Sequence, residues 1–232
     1  MIYVADRLLD ARRGDDTALR ERHFFHARHR HSFGVALGVA GIVLACLIAV
    51  MPPQARRGDI LVFSASMLYF AAAHLPAMRF RRGFARETAV GILFACAVAI
   101  PSWSGSIHGA LIVPVILFAA LCSLNCVAIE TWERPEGAGS LSVSALAVGL
   151  SAAALGAMLS APSRFSAQAG GEVHLTEAVL VSALLLLALD IRYRRFARNA
   201  TPDRVSRFLL VLRIAADAAL LTPLLFVLPW RP

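Results

Sequence analysis

Residues 110–130 read ALIVPVILFAALCSLNCVAIE, with no charge before Glu130 and Asn125 as the one strongly polar interruption. A helix of about 20 mostly apolar residues matches the hydrocarbon thickness of a bilayer. A surface helix of a soluble domain would instead carry a polar stripe on one side. Working outward, further apolar runs lie at about 34–51, 60–78, 88–104, 141–159, 175–191 and 208–228. Gly, Pro and Ser mark the breaks, as in Met51-Pro52-Pro53, Ser104-Gly105-Ser106 and Ser160-Ala161-Pro162.

The whole chain agrees with this reading. It is 58% hydrophobic and only 16% charged, where a soluble domain carries roughly a quarter charged residues. The expected fold is all-α: a polytopic transmembrane bundle of about seven helices over 34–232, behind a cytoplasmic segment, 1–33, rich in Asp, Arg and His. Small residues inside the spans, such as Gly149, Ser151, Ala152 and Gly156, let helix backbones approach closely in lipid. The four cysteines (Cys46, Cys96, Cys122 and Cys126) fall in apolar runs, where they read as small packing residues and not as a disulfide framework. The first apolar run follows a long Arg-rich segment, so no cleavable leader is expected.

All 23 basic residues are Arg, which points to GC-rich coding and a bacterial source. With these spans, eighteen arginines fall on one side, in the N-terminal segment and the second, fourth and sixth connections. Four fall on the other side (Arg56, Arg57, Arg164 and Arg231), and Arg213 lies within the last span. Arg excess marks the cytoplasmic face. The N-terminus is therefore expected in the cytoplasm, and the protein in a bacterial inner membrane.

Two acidic stretches could carry chemistry. Asp6 and Asp10 are one helical turn apart, so they share a face and could hold a hard cation such as Mg²⁺. The plainer alternative is a solvated helix whose Asp and Arg residues pair locally. Asn125, Glu130 and Glu133 close the fourth span within an arc of about 140°. Such groups are costly unless they face protein or a watery cavity. Alternatively, the glutamates simply mark the interface, with Trp132 as an aromatic anchor.

Acidic clusters at two cytoplasmic helix ends, separated by Arg-rich loops, resemble the UbiA superfamily of intramembrane prenyltransferases. That family's first motif is NDxxDxxxD. Asp6 and Asp10 match its last two acidic positions, while Ile2 and Tyr3 stand where its Asn and first Asp would be. The segment from Asn125 to Glu133 takes the place of the DxxDxxxD motif, with Asn and Glu in place of Asp. Arg79, Arg81 and Arg82 resemble the family's basic element. The family has nine helices, and removing the two before the first motif leaves seven. The likeness thus covers the whole chain and implies either an internal start or a reduced relative.

What the resemblance implies is an Mg²⁺ cofactor held by Asp6, Asp10, Asn125, Glu130 and Glu133. Arg79, Arg81 and Arg82 would bind the diphosphate of a polyprenyl donor, whose prenyl group passes to a lipid-accessible acceptor. Polyprenyl diphosphate and membrane lipids are the expected partners, and no nucleic acid is. A non-catalytic scaffold or lipid-binding relative is the alternative, and a small transporter using Arg213, Asp217 and Glu130 is the third reading. Three further groups have local readings. His23, His26, His29 and His31 could bind a metal, or lie with their arginines on anionic lipid. Arg213 and Asp217, four residues apart in an apolar run, are each other's expected partner, with substrate contact as the alternative. Asp190 is expected to pair with Arg194.

Overall fold

The computed structural model describes residues 29–74, 84–99, 111–133, 142–160, 170–199 and 201–222. Among them are seven α-helices and no strand, so the chain is all-helical. Asp6, Asp10, Arg79, Arg81, Arg82, His23 and His26 lie outside the described residues. The chain divides into two units, Met1–Phe80 and Arg81–Pro232.

The first unit contains α1 (Arg30–Val50) and α2 (Pro53–His74). Only Met51 and Pro52 separate them, and Pro53 opens α2. Proline suits a first helical position, because its φ is already helical and its missing N–H would have had no partner there. This corrects the boundary expected near residue 60: Arg56 and Arg57 lie in the first turns of α2, not in the connection. Arg56 then has a definite task. Its Nη2 donates to the carbonyls of Ala49 (3.2 Å) and Met51 (2.9 Å) at the end of α1. The last carbonyls of a helix lack intrahelical partners and carry the negative end of its dipole, so a guanidinium satisfies both needs.

The second unit contains α3 (Phe84–Ala99), α4 (Ile112–Glu133), α5 (Val143–Leu159), α6 (Gly170–Ala197) and α7 (Pro202–Ala219). α4 is its centre and touches all four of the others. The closest approach is to α3, at Gly91. A Cβ there would lie 2.6 Å from the Ser123 nitrogen and 2.9 Å from the Ala119 carbonyl oxygen. Only glycine fits, and Ser123 stays neat by donating its hydroxyl back to Ala119 O at 2.8 Å. At the α6–α7 contact, Ser182 Oγ donates to Ala178 O (2.7 Å) or Ala219 O (2.8 Å) and also meets the Thr222 hydroxyl. Leu121, Val143, Val179, Leu186, Leu212 and Ala216 fill the core between these contacts.

Among the described residues, three helical stretches are long and apolar enough to cross a membrane: His31–Val50, Ile112–Glu133 and His174–Ala197. At 1.5 Å per residue, the 22 residues of α4 reach about 33 Å. Glu87–Ala99 and Val143–Leu159 are shorter apolar helices. Large apolar side chains point outward in quantity, among them Val35, Ile42, Leu61, Leu68, Ile116, Val211 and Ile214, each more than half exposed. A water-soluble monomer rarely shows contiguous apolar surface on this scale, whereas a bilayer covers it without cost. The four cysteines are free thiols.

Candidate functional site

The last third of α4 turns its polar residues inward. Asn125 is 3% exposed, and its Nδ2 donates to Asp217 Oδ1 of α7 at 3.3 Å. Two helical turns further on, the Glu133 side chain is 2% exposed and forms an ion pair with Arg213 of α7. The 100° step of the helix explains the alignment. Asn125 and Glu133 differ by about 80° around α4, and Arg213 and Asp217 lie one turn apart on α7. Two polar contacts therefore run down a single seam between these helices. Glu130 lies on the same turns of α4 and is half-buried.

The seam corrects one expectation. The ion partner that the structure gives Arg213 is Glu133, 80 positions away in the chain, and Asp217 receives the amide of Asn125. Arg213 and Asp217 of α7 are thus each met by a side chain of α4. Of the alternatives for the fourth span, the inward one describes Asn125 and Glu133. Trp132 is no interfacial anchor either, being 1% exposed.

Trp132 belongs to a second polar cluster beside the seam. Its Nε1 donates to Asp190 Oδ1 at 3.0 Å. Ser144 Oγ and Arg194 Nε both donate to Asp190 Oδ2, at 2.5 and 2.9 Å. The Asp190–Arg194 pair expected from sequence is thus present, but as part of a larger network. Tyr193 Oη closes it by donating to the Trp132 carbonyl at 3.0 Å, with the two rings 6.1 Å apart. Asp190 is 1% exposed, and a buried carboxylate needs such compensation. The network ties α4, α5 and α6 together at the residue next to Glu133. Sequence reasoning missed Ser144 and the inward Trp132. The available signal was an Asp inside an apolar helix, which demands partners without naming them.

Asn125 Oδ1 is buried with no hydrogen-bond partner among the described residues.

The fit to Mg²⁺ can be tested on these donors. Asn125, Glu130 and Glu133 offer the oxygen atoms that Mg²⁺ prefers. Among the described residues, however, no three His, Cys, Asp or Glu side chains converge as a metal site, and Glu133 already has a cation beside it. The described residues alone do not make an Mg²⁺ site. His29 and His31 are exposed at the start of α1. No known protein family, curated protein or solved structure matches the chain.

Proposed function

We propose that this chain is a UbiA-like protein of a bacterial inner membrane, crossing it with seven helices and keeping its N-terminus in the cytoplasm. Its ligand is a polyprenyl diphosphate, with the isoprenoid among the helices and the diphosphate at the Arg-rich cytoplasmic end. The observation that carries this reading is the seam in which the buried Asn125 and Glu133 of α4 meet Asp217 and Arg213 of α7. Polar and ionisable side chains inside an apolar bundle are expensive and mark functional paths by default. Here Glu133 closes α4 at the end that the sequence reading assigns to the Arg-rich side.

Two activities share this ligand. In the first, the chain transfers the prenyl group to a lipid-accessible acceptor, with Mg²⁺ as cofactor. In the second, the chain binds the prenyl lipid without transferring it. The Glu133–Arg213 pair favours the second, because a carboxylate with a built-in cation is neutralised without a metal.

The deciding experiment uses the full chain in nanodiscs, titrated with labelled farnesyl diphosphate in Mg²⁺ or in EDTA. Transfer requires Mg²⁺-dependent binding that Asp10→Ala and Glu133→Ala both weaken. Lipid binding alone predicts equal affinity in EDTA and loss in Arg213→Ala. Failure to bind in either condition overturns both activities.

A further inference from the structure

Where α6 hands over to α7, Phe196, Arg204, Arg207, Phe208 and Val211 line an open groove of about 460 Å³. Its floor is aromatic, with the Phe196 and Phe208 ring centroids 4.3 Å apart. Its rim is cationic: Arg204 and Arg207 are exposed, and neither enters an ion pair among the described residues. The groove belongs neither to the α4–α7 seam nor to the Asp190 network.

The helix geometry extends it in one direction. Arg204, Arg207, Val211, Ile214, Ala218 and Leu221 follow the spacing that keeps residues on one helix face. Val211, Ile214 and Leu221 are each about 60% exposed. Two guanidinium groups therefore stand at the top of a continuous apolar stripe. The pattern is amphipathic along the helix axis, not around it.

We propose that this groove is a specific site for an anionic phospholipid of the cytoplasmic leaflet. The phosphate sits between Arg204 and Arg207, the glycerol region lies over Phe196 and Phe208, and an acyl chain runs down Val211, Ile214 and Leu221. Charge complementarity selects the occupant: guanidinium groups bind phosphate oxygens with charge-assisted hydrogen bonds, and basic pockets between helices on this face bind acidic head groups. A zwitterionic lipid carries a compensating positive charge and loses that advantage. The site is separate from the prenyl diphosphate reading and stands without it.

The test is native mass spectrometry of the full chain, released from nanodiscs of phosphatidylglycerol and phosphatidylcholine in equal amounts. One phosphatidylglycerol per chain is expected to survive a delipidating wash. The Arg204→Gln/Arg207→Gln double variant should lower its retention about thirtyfold, with helix content unchanged. Val211→Trp fills the groove without altering charge and should also lower retention. Arg195→Gln, an exposed change outside the groove, should leave retention intact. Equal loss in Arg195→Gln, or equal retention of phosphatidylcholine, overturns the proposal in favour of diffuse attraction. Displacement of the retained lipid by farnesyl diphosphate would overturn it too, by assigning the groove to the isoprenoid ligand.

Discussion

Glu133 and Arg213 show how a buried charge is kept inside an apolar bundle. The side chain of Glu133 is 2% exposed and that of Arg213 27%, so the carboxylate depends on the guanidinium far more than the reverse. Arg213→Ala strands a buried anion and is expected to cost roughly 1–3 kcal/mol, below the usual figure for a soluble core because membrane reference states find other partners. Glu133→Gln leaves a neutral side chain and should cost less. Thermal unfolding in detergent of the two single variants and the double variant measures the coupling, and strict additivity would contradict the pair. Asp190 gives a second test at this scale. Asp190→Leu removes the acceptor of Trp132, Ser144 and Arg194; water can replace it for the exposed Arg194, but the buried Trp132 N–H is stranded, at about 1–3 kcal/mol. Trp132 emission should shift as its indole N–H loses the carboxylate, and an unchanged spectrum with unchanged stability would sink the network.

Among the elements, the α3–α4 contact depends on a single missing side chain. Gly91→Ala pushes a methyl group into Ser123 and the backbone of Ala119, so α3 must move away. The expected loss is about 1–3 kcal/mol, the usual cost of overpacking, read as a lower unfolding temperature. Gly149→Ala, at a glycine with open space around it, is the control and should change little. The helices themselves were largely legible in the sequence, because long apolar runs have few other uses. Their ends were less so. Pro52-Pro53 reads as a break, yet a proline can also begin a helix, and α2 starts seven residues earlier than the apolar run at 60. α6 likewise runs to Ala197, past the apolar stretch, since an Arg-rich turn is as helical as an apolar one.

For the whole molecule, the arginine distribution predicts how the chain is threaded. Reporter fusions after Arg82 should lie in the cytoplasm, and fusions after Ser106 outside it. The opposite pattern would remove the cytoplasmic assignment of the seam and of the lipid groove together. The candidate site was only half legible. Asn125 and Glu133 announce themselves as polar residues in an apolar run, but their partners are 92 and 80 positions away. Spacing finds neighbours one turn apart, which is why Asp217 looked like the partner of Arg213. Long-range pairing is settled by which helix faces meet, and that depends on close contacts such as Gly91 with Ser123.

The clasp from Arg56 to the end of α1 has a consequence for biosynthesis. Its two acceptors, Ala49 and Met51, emerge from the ribosome only a few residues before the arginine itself. The contact can therefore close before the rest of α2 has been made. α1 and α2 would then leave the translocon already joined at this end, and the charge on Arg56 would make that passage already shielded by carbonyl oxygens.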